Sequence, residues 1–294
     1  MTAAAVPRRP ADALAAPGAG ELGSAEFAVI ARILEAEARI HLIEAKRTLV
    51  HSRLSRRLRE HKLSSFADYV RLVQADATER SAMVVALTTN HTHFFREEHH
   101  FDHLRATVMP WLQDRARRQP VRIWSAGCSS GEEVYTTAMC LLGENRSSAG
   151  WLRDGDVKLL ATDLSPPVVE ATRQGVYSAE TVEPVPAAYR AAWMRPEGSG
   201  FRMADEARAL VTARVLNLFG PWPMRRQYDV IFCRNVMIYF HDTAKAELEA
   251  RLVELLAPGG YLYIGHSERL IGPAATRMEG CGHTTYRKRA RAAA

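Results

Sequence analysis

The chain has 294 residues, a length that excludes a mini-protein and leaves room for one large domain or two modest ones. Hydrophobic residues make up 47% and charged residues 24% of the chain, so the composition is that of a folded globular protein and not of a disordered one. The net charge of +6 permits nucleic acid or an acidic protein surface as a partner and does not choose between them.

The N-terminal part of the chain predicts a tail followed by a small helical domain. Residues 1–23 are mostly Ala, Pro and Gly, with too few bulky apolar side chains to offset the entropy of ordering, so we expect a disordered tail. Apolar spacing and capping signals predict four helices, one from Ser24, one over 43–60, one from Ser65 and one over about 78–87. Because no strand pattern precedes residue 120, we predict a helical domain over 24–88.

The second predicted helix is basic on most of its surface. Its arginines include Arg53, Arg56, Arg57 and Arg59, and only two glutamates oppose the positive charge of the helix. Such a face is either solvated or an electrostatic dock for an acidic helix or for phosphates. No aromatic side chains interleave these arginines, which disfavours nucleic acid.

After residue 120, short apolar runs alternate with Gly-rich turns and helices, which is the pattern of a parallel sheet built from βαβ units. Strands are predicted over 121–125, 157–162, 213–216, 228–233 and 261–265, and the clearest helices over 132–142, 166–174 and 243–256. The glycines around Ser199 indicate a small inserted hairpin, within about 190–212. The segment 284–288 is expected to form an antiparallel edge strand. We therefore predict an α/β fold for a second domain over 89–289.

The first two predicted strands end in residues that suit a ligand. Gly127 in the first turn lets a ligand approach the backbone closely, and Glu133 at the start of the next helix disfavours a pyrophosphate. Asp163 ends the second strand, where a carboxylate can accept both hydroxyls of a ribose or cap the helix that begins near Ser165.

Two later strands end in polar groups as well. Asn217 could hold an adenine edge or serve the turn, and the strand at 228–233 delivers Arg234, Asn235 and Tyr239 to the same crevice. Taken together, these strand ends predict a pocket for a nucleoside that carries a positive charge. S-adenosylmethionine fits that description better than NAD or ATP.

The segment LTTNHTHFFREEHHFDHL joins the two predicted domains and is rich in polar and aromatic residues. Its Asn90, Thr92 and Arg96 can reach the crevice from one side. His99 and His103 stand one helical turn apart, which raises the question of a metal, but no third ligand has a diagnostic spacing and we expect no metal. The four cysteines are scattered, without a CxxC pair, so we expect reduced thiols in the cytoplasm. We expect neither a secretory signal nor a membrane span.

Four motifs and a fifth segment together resemble the CheR family of chemotaxis-receptor glutamate methyltransferases: LTTNHTHFFREEHHF, WSAGCSSGEEVY, ATDLSPPVVEATRQGVYS, FCRNVMIYF and GGYLYIGHSE. The resemblance covers about residues 25–288. It implies a small all-α domain followed by a Rossmann-like methyltransferase domain with an inserted β-subdomain. It also implies methyl transfer from S-adenosylmethionine to glutamates on the helical cytoplasmic domains of chemoreceptors, with S-adenosylhomocysteine as the product and a monomeric enzyme.

The resemblance also assigns roles to individual residues. Arg96 and Tyr239 match the residues nearest the transferred methyl group. The implied cofactor contacts are Asn90, Thr92, Arg96, Gly127, Glu133, Asp163, Asn217, Leu218, Arg234 and Asn235. The insert around 194–208 is short, whereas in relatives a longer version grips a peptide at the receptor's C-terminus.

Two other functions remain as alternatives. One keeps the fold and methylates RNA or a small molecule, although the chain has no Asn-Pro-Pro-Tyr motif for amine methylation. The other is a sensor that binds the nucleoside without catalysis.

Overall fold

The computed structural model describes residues 20–290, which form two units. The first unit consists of residues 20–33 and Ile43–Leu87, and the second of Leu34–Leu42 and residues 88–290. Residues 1–19 of the predicted tail lie outside the described residues. Residues 20–23 differ from the prediction, because Leu22 is buried and the N–H of Gly20 donates to the carbonyl of Ser64.

The predicted helices of the first unit are confirmed, with small shifts at their ends. They are α1 (Ser24–Ala38, whose last residues belong to the second unit), α2 (Arg47–Glu60, preceded by a 3-10 turn at Glu44–Lys46), α3 (Phe66–Ala75) and α4 (Ala77–Leu87). The predicted cap of α3 is present, since the Oγ of Ser65 accepts from the N–H of Asp68 at 3.1 Å. Helices α2 and α3 pack on α4 through buried side chains such as Leu54, Val73 and Met83.

Glu79 lies buried in the first unit and organises the basic helix. Its carboxylate accepts from the Tyr69 hydroxyl at 2.7 Å and from the ring of His61 at 2.7 Å, and it pairs with the Arg57 guanidinium. Arg53 donates to the carbonyl of Leu87 at 2.7 Å. Two of the four arginines predicted to dock a partner are therefore engaged inside this unit.

The remaining two arginines of that set are exposed. Arg56 forms an ion pair with Glu60 at 2.9 Å on the surface of α2, and Arg59 also lies at the surface. Arg56 and Arg59 are thus the two arginines of that set that remain exposed.

The second unit is an α/β structure with two sheets. Its strands are β1 (Val121–Ala126), β2 (Val157–Asp163), β3 (Val176–Ser178), β4 (Met194–Glu197), β5 (Gly200–Met203), β6 (Val211–Val215), β7 (Tyr228–Cys233), β8 (Leu256–Ile264), β9 (Met278–Gly282) and β10 (Thr285–Lys288). Its helices are α5 (His99–His103), continued by a π-helical turn at Leu104–Val108, α6 (Met109–Ala116), α7 (Glu132–Leu142), α8 (Gly150–Asp154), α9 (Pro166–Gln174), α10 (Ala187–Trp193), α11 (Asp205–Leu210) and α12 (Asp242–Leu255). Short 3-10 turns lie at Arg146–Ala149, Met237–Tyr239 and Pro273–Arg277.

The large sheet has seven strands in the order β6-β2-β1-β7-β8-β10-β9. The first five strands are parallel, and β10 runs antiparallel to both β8 and β9. Alternate residues of β7 enter two hydrophobic cores, one on each face: Phe232 lies in the core that contains residues of α7, and Ile231 in the core that contains residues of α12. The predicted parallel sheet built from βαβ units is confirmed, and the structure places helices on both of its faces.

Two details at the C-terminal end of the sheet were predicted incorrectly. The segment 284–288 is not an edge strand, because β10 pairs on both sides and β9 forms the edge. The sequence MEGCG of β9 contains two glycines and no apolar run, so it gives no strand signal.

The inserted β-structure is larger than we predicted. Strands β3, β4 and β5 form a separate antiparallel sheet in the order β3-β5-β4, so it begins at Val176 and not near 190. The predicted hairpin is its β4–β5 part. Gly200 permits the pairing with β3, since a Cβ at this position would lie 2.2 Å from the carbonyl oxygen of Tyr177.

The strand order places a crevice at the carboxyl ends of β1 and β7. Strands β2 and β6 lie on one side of β1, and strands β7 and β8 lie on the other side. The direction of the strand order changes between β1 and β7, so the crevice lies at the switch point of the sheet. Open α/β sheets bind their ligands at such a point. None of the helices within residues 20–290 is long and apolar enough to cross a membrane.

Candidate cofactor site

The turn after β1 is shaped by close contact with its neighbours. Gly127 has φ +82°, and a Cβ there would lie 2.5 Å from the side chain of Val236, so only glycine fits. The N–H groups of Gly127 and Cys128 both donate to the carbonyl of Thr162 at 2.8 Å. These hydrogen bonds hold the turn against the end of β2, and Gly127 adds no side chain to the backbone at the crevice.

Asp163 links the ends of β1 and β2. One oxygen of its carboxylate accepts from the N–H of Ser129 at 2.9 Å, and the other accepts from the N–H of Ser165 at 3.0 Å. The position of Asp163 is therefore compatible with capping the helix that begins near Ser165 and with accepting ribose hydroxyls, since each oxygen keeps a lone pair for a further donor. Burial raises the pKa of Asp163, against the effect of these N–H groups.

Glu133 points back from α7 beneath the crevice. Its carboxylate accepts from the hydroxyl of Ser125 at 2.7 Å and pairs with the Arg234 guanidinium at 3.2 Å. Burial raises the pKa of Glu133, and the nearby positive charge of Arg234 opposes this effect.

Arg234 is buried, with 2% of its side chain exposed, and is held between two carboxylates. It lies 3.2 Å from Glu133 and 3.3 Å from Glu97, and it also donates to the carbonyl of Arg96. The guanidinium therefore joins the end of β7 to the linker segment that carries Arg96. The two terminal nitrogens of Arg234 are engaged by protein groups, so this guanidinium holds parts of the site in position.

Sequence reasoning missed Glu97. Its carboxylate accepts from the side-chain amide of Asn235 at 3.2 Å and from the ring of His266 at 2.9 Å, in addition to its pair with Arg234. Burial acts to raise its pKa, but the Arg234 charge and the bond from His266 prevail and lower the pKa to about 2. Glu97 follows Arg96 within the linker motif, and that adjacency was the one signal available.

Glu268 was also missed, although it lies in the quoted segment GGYLYIGHSE. Its carboxylate is buried and accepts from the N–H groups of Gly265 at 2.6 Å, Asn235 at 3.1 Å and Ile238 at 3.2 Å. Asn235 has φ +57°, a left-handed conformation that Asn tolerates better than most residues. Glu268 thus fixes the loops that follow β7 and β8.

Of the linker residues predicted to bind the cofactor, Asn90 lies beside the β1 turn. The carbonyl of Asn90 accepts from the hydroxyl of Ser129 at 2.8 Å. Arg96 is half-buried and donates to the carbonyl of His91 at 2.8 Å. Thr92 is also half-buried. Asn90 and Asp163 therefore share Ser129 as a neighbour.

Asn217 and Leu218 follow β6. The Asn217 amide donates to the carbonyl of Glu37 at 2.7 Å and accepts from the N–H of Phe219 at 2.9 Å. Leu218 is buried. The protein thus orients the Asn217 amide and uses one of its two N–H groups and one of its lone pairs.

Tyr239 lies in the loop between β7 and α12 and is half-buried. Its backbone carbonyl accepts from the N–H of His41 at 2.8 Å, and Ile40 and Phe240 form a single antiparallel bridge beside it. The contacts described above form two groups: Asn90 and Asp163 meet at Ser129, and Glu133, Asn235 and the backbone of Arg96 are joined through Arg234 and Glu97. Neither group includes the side chains of Thr92 and Tyr239.

The two histidines whose spacing raised the question of a metal have separate neighbours. The Nδ1 of His103 hydrogen-bonds with the hydroxyl of Tyr263 at 2.9 Å, whereas the Nε2 of His99 lies 3.4 Å from the Nδ1 of His283. The spacing of His99 and His103 therefore does not create a common site.

Comparison with known proteins covers both units. Residues 90–286 match the family described as "CheR methyltransferase, SAM binding domain", and residues 25–88 match "CheR methyltransferase, all-alpha domain". A probable chemotaxis protein methyltransferase of Rhizobium etli is 44% identical over 262 residues, which cover 87% of this chain and 96% of that protein. Chemotaxis protein methyltransferase 2 of Pseudomonas aeruginosa is 41% identical, over 84% of this chain and 87% of that protein. The chemotaxis protein methyltransferase of Escherichia coli is 38% identical, over 84% and 85% respectively.

Proposed function

Because the chain belongs to the CheR methyltransferase family and is an S-adenosylmethionine-dependent methyltransferase, we propose that it methylates glutamate side chains of chemoreceptors in the cytoplasm. The products are glutamyl methyl esters and S-adenosylhomocysteine. The observation that carries this proposal is the identity of 38–44% with chemotaxis protein methyltransferases over 84–87% of the chain. The Asp163 carboxylate near the turn at Gly127 fits the cofactor of that reaction.

The residues at the switch point fit S-adenosylmethionine. Asp163 keeps lone pairs for two ribose hydroxyls, and the turn at Gly127 leaves space where a Cβ would intrude. The carboxylates of Asp163, Glu97 and Glu133 outnumber the guanidinium groups of Arg234 and Arg96, a balance that suits a cation and would repel a pyrophosphate.

The remaining predicted contacts complete the proposed cofactor site. Asn217 and Leu218 after β6 would hold the adenine, while Asn90 and Thr92 would close the site from the linker. Glu133, Arg234 and Asn235 would hold the cofactor site in shape, because their side chains contact one another or Glu97. When bound, S-adenosylmethionine supplies a methyl group activated by its sulfonium.

The chain needs no general base for this reaction. A glutamate with an ordinary pKa of about 4.3 is already an anion at neutral pH. The tasks of the protein are to align the acceptor oxygen with the methyl group and to exclude water, and alignment alone can supply on the order of 7–11 kcal/mol.

We assign the orientation of the acceptor carboxylate to Arg96, following its match to the family motif. One nitrogen of its guanidinium is engaged by the His91 carbonyl, which leaves further N–H groups on a half-buried side chain. A bidentate clamp would stabilise the substrate anion and weaken it as a nucleophile, so we expect Arg96 to contact only one oxygen. Tyr239 would contact the substrate or the methyl group from the loop after β7.

The proposed division of labour assigns receptor docking to residues 24–88 and methyl transfer to residues 89–289. Arg56 and Arg59 present exposed positive charge to the acidic helices of a receptor, which would speed encounter at low salt. Replacing both by Glu should slow methylation at low ionic strength and have little effect at high ionic strength. The control, Arg117→Glu with Arg118→Glu, makes the same charge change at exposed positions of the second unit. Equal rates for the two double variants would exclude this docking role.

The central test is transfer of a radiolabelled methyl group from S-adenosylmethionine to receptor cytoplasmic domains. Label that base releases identifies a methyl ester and supports the proposal. Base-stable label would instead indicate N-methylation, and cofactor binding without transfer would indicate a sensor. Arg96→Ala should lower turnover, and the proposed role of Arg96 is lost if both turnover and cofactor affinity stay unchanged.

The proposed role of Asp163 is tested by measuring S-adenosylmethionine binding without catalysis. Asp163→Asn should weaken S-adenosylmethionine binding by about 1–3 kcal/mol in calorimetry, because a charged acceptor of two hydroxyls is lost. Asp154→Asn, at an exposed position in α8, is the matched control and should leave the affinity unchanged.

A further inference from the structure

Three possible metal ligands converge at the join between α1 and the loop before α12. Glu35 lies on α1, His41 follows that helix, and His241 immediately precedes α12. One ligand atom from each lies within 4.8 Å of the other two. All three residues belong to the second unit. We propose that Glu35, His41 and His241 form a binding site for Zn²⁺, and this proposal does not depend on the function proposed above.

The donor set suits zinc in particular. Two imidazoles and one carboxylate are a common set of three protein ligands for Zn²⁺, with water in the fourth position. Zn–N and Zn–O bonds of about 2.0–2.2 Å require ligand atoms roughly 3.4 Å apart, so rotation of the side chains must bring these atoms closer by at most about 1.4 Å. His41 and His241 are both exposed, and their ring centroids are already 3.7 Å apart.

Glu35 supplies an independent observation. Its Oε2 is buried and has no hydrogen-bond partner among residues 20–290. A buried carboxylate oxygen without a donor is costly, because it has lost its water without gaining a partner. A cation held between this oxygen and the two rings would satisfy it.

The backbone around the three ligands is already held in place. His41 donates its N–H to Tyr239 at 2.8 Å, and the bridge between Ile40 and Phe240 lies next to it. His241 has an extended backbone at the start of α12, and within the described part of the chain its ring makes no capping bond to that helix. The imidazole of His241 is therefore available as a ligand.

A second cluster of suitable residues provides the control. Glu97, His99 and His100 also lie close together, but the Oε2 of Glu97 already pairs with Arg234 at 3.3 Å. The Nε2 of His100 hydrogen-bonds with the hydroxyl of Thr284 at 3.0 Å. A metal ion would have to compete with a buried guanidinium here, so we expect zinc at Glu35, His41 and His241 instead.

The test is equilibrium dialysis of the full chain, without a polyhistidine tag, against Zn²⁺ after treatment with a chelator. We expect one strongly bound Zn²⁺ per wild-type chain and binding at least about tenfold weaker in His41→Ala, His241→Ala and Glu35→Gln. The double variant His99→Ala with His283→Ala should bind zinc as the wild type does. Zinc should also raise the melting temperature of the wild type and of this control, but not that of His41→Ala.

Cobalt provides a readout of the ligands themselves. Co²⁺ in place of Zn²⁺ should give the intense visible absorption of a four-coordinate site in the wild type, and this absorption should be lost in His241→Ala. The proposal is wrong if the wild type binds no stoichiometric zinc, if the three ligand variants bind as tightly as the wild type, or if binding is lost in the His99 and His283 variant. Circular dichroism of the zinc-free proteins establishes that each variant is folded.

Discussion

The guanidinium of Arg234 lies 3.2 Å from the carboxylate of Glu133, and both side chains are largely buried at the carboxyl ends of the central strands. The same guanidinium holds Glu97 at 3.3 Å and the backbone of Arg96. One buried cation therefore sets the position of three parts of the site: the start of α7, the end of β7 and the linker. Removing it would leave two carboxylates close together without compensation.

Arg234→Met is expected to destabilise the second unit by about 3–5 kcal/mol and to weaken S-adenosylmethionine binding, because the carboxylates lose their shared partner. Tryptophan fluorescence during urea unfolding measures the first effect for this unit alone, since all five tryptophans of the chain lie at positions 111 to 222. Calorimetry measures the second. The control is Arg118→Met, which removes an exposed arginine paired with Asp114 at 3.6 Å. Similar stability of the two variants would contradict the role given to Arg234.

Glu268→Gln tests the carboxylate that joins the loops after β7 and β8. The Oε2 of Glu268 accepts from Gly265 and Asn235, and Oε1 accepts from Ile238, so an amide must turn N–H groups toward backbone donors. We expect cofactor affinity to fall by about 1–3 kcal/mol, or roughly ten- to a hundredfold, through displacement of Asn235. Glu279→Gln in the exposed part of β9 is the control. An unchanged dissociation constant in Glu268→Gln would show that these bonds do not shape the site.

The strands of the sheet were predictable because buried parallel strands are continuous apolar runs, as β7 shows with four buried apolar residues in succession at 230–233. Gly127 and Asp163 were predictable for a related reason, since the ends of parallel strands meet at one edge. Glu97 and Glu268 were not, because their role depends on partners such as Arg234 that are distant in sequence. A glutamate of this kind looks like any surface carboxylate until the fold brings its donors together.

In the helical unit, the role of Glu79 could not be predicted from the sequence for the same reason. Its side chain is 3% exposed and accepts from Tyr69 and His61 while pairing with Arg57. Burial acts to raise the pKa of Glu79, and its donors lower it overall. Glu79→Gln should destabilise helices α2 to α4 by about 1–3 kcal/mol, because a buried acceptor of three donors loses its charge and must turn N–H groups toward some of them.

Hydrogen exchange of peptides from residues 47–87 measures this loss directly. Glu60→Gln provides the control, since Glu60 also pairs with Arg57 but is 39% exposed. Equal exchange rates in Glu79→Gln and Glu60→Gln would mean that burial does not make the Glu79 contacts more important.

His100 predicts how the stability of the second unit depends on pH. Its side chain is fully buried, and burial together with the charge of Arg234 lowers its pKa from the ordinary 6.5 to about 3. The unfolded chain therefore takes up a proton at this histidine below about pH 6.5, while the folded chain remains neutral until about pH 3. Stability is present in full above pH 6.5 and falls as pH decreases, by up to about 1.4 kcal/mol per pH unit.

His100→Gln removes this titration and can keep a donor toward Thr284, so its disadvantage relative to the wild type should shrink as the pH is lowered from about 7 to 5. The pKa of Glu97 is lowered to about 2, so the stability that it contributes is lost only as pH falls from about 4.5 to 2 and does not interfere in this range. Tryptophan fluorescence in urea at each pH measures the difference. His99→Gln, at the exposed neighbouring position, should follow the wild-type profile. A constant difference between wild type and His100→Gln across this range would show that His100 gains its proton as readily in the folded chain as in the unfolded one.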